Sequence, residues 1–177
     1  ESDWNVWTDG LGSPPKHLRL NLPDEIYTSA DIFPALPTAS VFTPGNGSGA
    51  ALYGGPIIAY CFANTEMLQV GVYEGNGFVD GAFVPMPFKP AFFIGRAFAP
   101  TGDDWMMLDN TRSPYNLVEK SLAANESKAE IDDVGKAVDF LSNGVKMRNA
   151  DNGLNSAGRS YLYLAISEQS FKNSRGR

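Results

Sequence analysis

The side chains best equipped for chemistry in this chain are its acids and its exposed-looking aromatics. Asp103, Asp104 and Asp109 fall close together in PTGDDWMMLDN. Loop carboxylates with backbone oxygens are the donors a hard cation takes, so these three are the candidate ligands for a bound Ca2+. Asp151 and Asn152, in ADNG, make a smaller second candidate, and neither group has the spacing of an EF-hand loop. Nucleophilic catalysis needs a base beside the nucleophile. The single histidine, His17, is expected on the polar face of a strand, and the single cysteine, Cys61, reads as a small buried hydrophobe in PIIAYCFA. Glycoside hydrolysis needs two carboxylates facing each other across a cleft, and an acidic chain supplies such pairs by composition alone. The expectation is a protein that binds and is not an enzyme. For binding, an aromatic face suits the apolar face of a sugar ring. Tyr53 and Tyr115 lie in loop-like sequence, and Arg112 and Asn116 flank Tyr115 in RSPYN. These four are the candidate ligand-binding residues.

The elements that must position them read as strands. HLRLNL at 17–22 alternates Leu18, Leu20 and Leu22 with polar partners, as a half-buried strand does. PIIAYCFA at 56–63 is apolar throughout, the pattern of a central strand covered on both faces. MLQVGVYE at 67–74, FVDGAFV at 78–84 with a bulge at Gly81, and AFFIGRAF at 91–98 follow, with a tight turn at GNG, 75–77. Short strands are expected at 3–9 and 40–42. Residues 126–141 carry Ile131, Val134, Val138 and Leu141 at helical spacing, yet Gly135 weakens a helix. The reading preferred is a loop with one short turn, then a strand at 137–142, a hairpin signal at Asn143-Gly144, and a return strand at 145–149. RSYLYLAISE at 159–168 is the last strand, before a tail at 170–177.

Composition agrees with that reading. The chain has 177 residues, 43% hydrophobic and 19% charged, with eighteen Gly and twelve Pro. This suits one domain of many short strands and turns. A net charge of -6 repels phosphate backbones, so no nucleic acid is expected as a partner. No apolar run approaches the ~20 residues of a membrane-spanning helix. The chain does not begin with Met, as in a processed product or the C-terminal part of something longer, and the direct entry of ESDWNVW into strand-like sequence favours an N-terminal portion before Glu1.

Two stretches resemble each other. SDWNVWTD with Trp4 aligns with DDWMMLD with Trp105, HLRLN ending at Asn21 with SLAAN ending at Asn125, and IAYCFAN at 58–64 with LYLAISE at 162–168. The offsets are 101 residues between the tryptophans and 104 for the other two pairs. The chain therefore divides into half-repeats at 1–66 and 100–169 joined by a bridge at 67–99. Equivalent tryptophans in two copies are read as core residues. Two sets of four or five antiparallel strands predict an all-β, two-sheet sandwich of jelly-roll type.

DWNVWTD…LRLN, IAYCFAN, VYEGNGFVDGAFV…FKPAFFIGR, RSPYN, FLSNGVKMR and YLYLAISE together resemble a family of bacteriophage tail-associated or fibre-type virion proteins, common in marine phages. The resemblance covers essentially the whole chain. It implies a concanavalin A-like, laminin-G-like jelly roll on the virion, exposed outside the host. Other virion proteins and a host-surface glycan are the partners expected, with a homo-oligomer, a trimer, as the assembly. It carries no catalytic motif. The alternative expectation is a purely structural decoration or assembly domain that binds neighbouring subunits.

Overall fold

A computed structural model describes residues 3–28, 30–47, 56–100 and 102–169. They form an almost wholly β protein, with twelve strands and two short 3-10 turns at Asp9–Leu11 and Val134–Lys136. All ladders are antiparallel. The largest sheet has six strands in the order β4-β12-β6-β7-β8-β9: β4 (Leu68–Glu74), β12 (Ser160–Ser167), β6 (Pro90–Ala99), β7 (Met106–Asp109), β8 (Lys120–Ala123) and β9 (Ile131–Asp132). A three-stranded sheet pairs β10 (Val138–Leu141) with β11 (Gly144–Met147) and β11 with β5 (Phe83–Pro85). A second three-stranded sheet pairs β1 (Asn5–Val6), β2 (Lys16–Arg19) and β3 (Tyr27–Thr28).

The central strands explain the layering. A strand sends alternate side chains to opposite faces. In β12, Tyr163 and Ala165 point into a core shared with Val84, Val138, Phe140, Val145 and Met147 of the facing sheet. Leu162 points the other way, into a cluster with Leu11, Leu18, Phe98 and Trp105. The six-stranded sheet is thus covered by β10-β11-β5 on one face and by β1-β2-β3 over part of the other. The first contact is that of a β-sandwich.

Two glycines show how closely β11 and the β5 segment approach within the three-stranded sheet. The Met147 carbonyl accepts from the Gly81 N–H, while the Met147 N–H donates to the Ala82 carbonyl. Two residues therefore oppose one, which is the bulge expected at Gly81. A Cβ there would lie 2.6 Å from Met147 Cβ. Gly144 has φ +147°, and a Cβ would lie 2.2 Å from the Val84 carbonyl oxygen. Register places Leu141 opposite Gly144, so the hairpin turns through Ser142 and Asn143, one residue earlier than the Asn-Gly signal.

The segment 126–141 has no α-helix: β9, one 3-10 turn and β10 fill it, as the Gly135 objection anticipated. Asp133 caps that turn through the Gly135 N–H at 2.8 Å. GNG does not close a hairpin between its neighbours. Among the described residues β4 pairs only with β12, and β5 joins the opposite sheet through β11. Residues 40–42 carry no strand.

Three expectations are corrected. PIIAYCFA is not a central strand. Residues 56–63 form no ladder and are exposed, because β12 takes the central place, between β4 and β6. Cys61 is consequently exposed, not buried. His17 is buried, not on a polar surface. Its ring stacks on Tyr27 at 5.5 Å between centroids and meets Phe33 edge-on at 6.1 Å, so the face of β2 that alternation marks as polar is roofed by aromatics.

Candidate functional site

The loop between β7 and β8, residues 110–119, carries three of the four residues expected to bind a ligand. Its path starts at Asp109. That carboxylate accepts the Thr111 N–H at 3.0 Å and the Arg112 N–H at 2.8 Å, and it also pairs with the Arg112 guanidinium. Arg112 Nε lies 3.3 Å from Glu130 on the strand side. Arg112 is therefore held between two carboxylates at the base of the loop. The loop ends by docking on the facing sheet. Val118 and Val138 exchange both backbone hydrogen bonds, at 2.8 and 3.0 Å. Asn116 copies a backbone pairing with its side chain: Oδ1 accepts from the Phe140 N–H at 2.9 Å and Nδ2 donates to the Phe140 carbonyl at 3.2 Å.

Between these anchors Tyr115 stands out, 83% exposed, with Leu117 partly exposed beside it. Residues Ser113–Asn116 line a cavity of about 180 Å3 whose other walls include Lys89, Asn110 and Phe140. The same four residues line a more open hollow of about 370 Å3, bordered by Arg112, Glu119 and Lys120. A rigid loop with an upright aromatic, flanked by polar hollows, is the geometry of a shallow binding site. The first hollow is smaller than a drug-sized pocket and the second is near its lower bound, so they suit the end of a polar ligand.

The sequence-expected residues divide clearly. Tyr115, Asn116 and Arg112 come together on one loop. Tyr115 is turned to solvent, whereas Asn116 and Arg112 spend their polar groups holding the loop. Tyr53 lies outside the described residues. Lys89 and Asn110 were not legible as site residues: Lys89 reaches the cavity from the residue before β6, and Asn110 is the first residue of the loop, just after β7. Both bond Glu168, Lys89 Nζ to Oε2 at 2.8 Å and Asn110 Nδ2 to Oε1 at 3.2 Å. The only sequence signal for them is the Lys in FKP, one residue before the longest strand.

The structure does not bring the three aspartates to one point. Each faces a different cation: Asp103 meets Arg159 at 3.1 Å, Asp104 meets Lys128 at 3.3 Å, and Asp109 pairs with Arg112. Asp151 pairs with Lys136 at 2.8 Å. Among the described residues, no group of three or more His, Cys, Asp or Glu is placed to hold a metal ion. The acids act locally instead. Asp104 accepts from Asn125 Nδ2 at 2.9 Å, while Asn125 Oδ1 accepts the Trp105 N–H at 2.8 Å. The same latch recurs near the N-terminus: Asn21 Nδ2 donates to Asp3 at 3.2 Å, and Asn21 Oδ1 accepts the Trp4 N–H at 3.1 Å. Trp105 is buried as a core residue should be, but Trp4 is half exposed.

Among the described residues no helix is long and apolar enough to cross a membrane. No curated protein and no solved structure matches the chain. A family model described as a domain of unknown function, DUF7483, matches residues 1–170. The chain belongs to that family.

Proposed function

We propose that this domain is a binding module of a phage virion, exposed on the tail or particle surface, which attaches to a host-surface glycan through the 110–119 loop. The observation that carries the reading is Tyr115, an almost fully exposed aromatic on a loop pinned at both ends. Its ring is available to the apolar face of a sugar, and the hollows beside it offer amide, hydroxyl and ammonium groups to the sugar's hydroxyls. The virion setting rests on the sequence resemblance. The reading is one of binding without turnover, and the burial of the lone histidine beneath Tyr27 and Phe33 supports it.

The finer architecture belongs to the same proposal: a concanavalin A-like jelly roll made of two diverged half-repeats. The twin Asn–Trp latches support duplication. So does the matched pairing, with β1-β2-β3 laddered like β7-β8-β9 and His17 opposite Tyr27 where Ser121 is opposite Ile131.

The test is a glycan array or host-envelope pull-down with the folded protein, with and without calcium, comparing Tyr115→Ala. The expected result is saturable binding, competed by a defined sugar, insensitive to chelation and weakened at least about tenfold by Tyr115→Ala, since stacked aromatics carry such interfaces. The variant should melt at the temperature of the parent, because its side chain is exposed. Absence of binding by the folded protein sinks attachment. It would leave the second reading, a structural virion domain that binds neighbouring subunits, which the exposed apolar run at 56–63 favours.

A further inference from the structure

Three cations reach the two hollows beside Tyr115: Lys89 lines the first, and Arg112 and Lys120 line the second. Each is already matched by a carboxylate. Lys89 Nζ lies 2.8 Å from Glu168 Oε2, and the other oxygen of Glu168 accepts from Asn110 Nδ2 at 3.2 Å. Arg112 pairs with Asp109 through Nη1 and with Glu130 through Nε at 3.3 Å. The second oxygen of Glu130 faces Lys120 Nζ at 3.9 Å. The acid that itself lines a hollow is Glu119, in the second. Its side chain has neither an ion pair nor a hydrogen bond among the described residues. The backbone around it is fixed on both sides. Val118 exchanges two hydrogen bonds with Val138, and the Lys120 N–H donates to Ser113 Oγ at 3.3 Å. The Glu119 carbonyl accepts from the Asp133 N–H at 3.5 Å. The fold thus fixes where this side chain starts and leaves both of its carboxylate oxygens for a ligand.

We propose that this site selects a neutral sugar against acidic ones, with Glu119 as the residue that discriminates. The inference rests on the glycan reading of the Tyr115 loop. A uronic acid, a sialic acid or a sulfated sugar calls for a cation free to meet its charge, and here every cation at the hollows is matched within the protein. An anion brought into the second hollow meets the uncompensated carboxylate of Glu119 instead. Like charges set facing each other across an interface suppress the wrong partner, and the net charge of -6 on the chain acts in the same direction. A neutral pyranose meets no such cost. Its hydroxyls donate to the Glu119 oxygens in charge-assisted bonds, which are stronger than bonds to a neutral acceptor. Its apolar face rests on the Tyr115 ring. The ammonium groups of Lys89 and Lys120 each carry three donors, so a paired lysine still has protons to give to the sugar's oxygens.

The experiment uses a glycan array printed with matched pairs. Each pair is a neutral oligosaccharide and the same oligosaccharide with its terminal hexose oxidised to the uronic acid or sulfated. The folded full chain is titrated on it at about 20 mM and about 150 mM salt. The parent should bind the neutral member at least about fivefold more tightly at low salt, with a smaller gap at high salt as screening grows. Glu119→Gln keeps the size of the side chain and its power to hydrogen-bond. It should melt with the parent, bind the neutral member about threefold more weakly, and close the gap to under about twofold. Glu119→Lys should turn the preference toward the acidic member. Equal or tighter binding of the acidic members by the parent overturns the inference and leaves glycan attachment standing. So does a gap that Glu119→Gln leaves unchanged. Binding to neither member of any pair overturns the inference together with the attachment reading. Tyr115→Ala separates the two levels, because it should weaken both members of a pair alike, whereas Glu119→Gln should change their ratio.

Discussion

At the level of single residues the chain shows how little a side chain's type says before its neighbours are known. Asp103, Asp104 and Asp109 looked like one cation site, but each has its own cationic partner. Tyr115 was legible because proline and polar neighbours mark a loop, and loop aromatics tend to face water. Lys89 was not, since only the folded sheet brings it to the cavity. His17 was misread because alternation identifies a face and not what covers it. Its burial has a consequence for stability. Desolvation first, and the charge of Arg19 second, lower its pKa below the ordinary 6.5, against the pull of Asp3. The folded protein therefore keeps His17 neutral, while the unfolded chain takes up a proton as pH falls below 6.5. The contribution of this group is full above the unfolded value and is lost as the pH drops from there through the folded value. His17→Phe keeps a stacking ring and removes the titration. The melting temperature of the parent should fall more steeply than that of His17→Phe between about pH 7 and pH 5, where an imidazole titrates. Parallel curves would show that His17 is not the group involved.

At the level of elements, hydrophobic period carried most of the information. Strands 68–74, 90–99, 144–147 and 160–167 lie where alternation or dense apolar sequence put them. Pairing was less legible, because turn chemistry reports on the next few residues and not on which sheet the chain enters. GNG signals a turn, yet the chain leaves it for the opposite sheet. The long apolar run at 56–63 met the limit from the other side: composition marked it for a central strand, and β12 holds that place. The Asn–Trp latches were legible only through the repeat, which aligned Asn21 with Asn125 before any contact was known. They make a paired test. Asn125 serves a buried Trp105 and a partly buried Asp104, whereas Asn21 serves a half-exposed Trp4 in contact with water. Removing a buried partner strands its donor, and an exposed donor turns to solvent. Asn125→Ala should cost about 1–3 kcal/mol in denaturant unfolding, and Asn21→Ala under about 1 kcal/mol. Equal losses would mean that the N-terminal latch is shielded as well as the other.

At the level of the whole molecule, the N-terminal sheet meets the six-stranded sheet through the Leu18 cluster and at one backbone oxygen. The Arg19 carbonyl on β2 accepts from Trp105 Nε1 and from Arg96 Nη1, both at 2.8 Å. Arg96, on β6, is fully buried, and its guanidinium lies 5.3 Å from the Trp105 ring centre. Burial pulls its pKa down to about 10, against the attraction of Asp24, Asp103 and Asp104, so it stays charged at neutral pH. A buried cation can contribute by what it binds or cost by what it leaves unbound. Here Nε and Nη2 have no hydrogen-bond partner among the described residues, and the Arg19 carbonyl keeps Trp105 if Arg96 is lost. The desolvation cost is thus poorly compensated, while the volume of the side chain fills the space between two sheets. Shape should outweigh charge. Arg96→Met, which keeps length and apolar bulk, should fall within about 1 kcal/mol of the parent, and Arg96→Ala should lose about 3 kcal/mol by opening a cavity. Urea unfolding of the three proteins measures both. If Met costs as much as Ala, the hydrogen bond to Arg19 and the pull of the three aspartates exceed the desolvation penalty, and the two sheets are held together by charge.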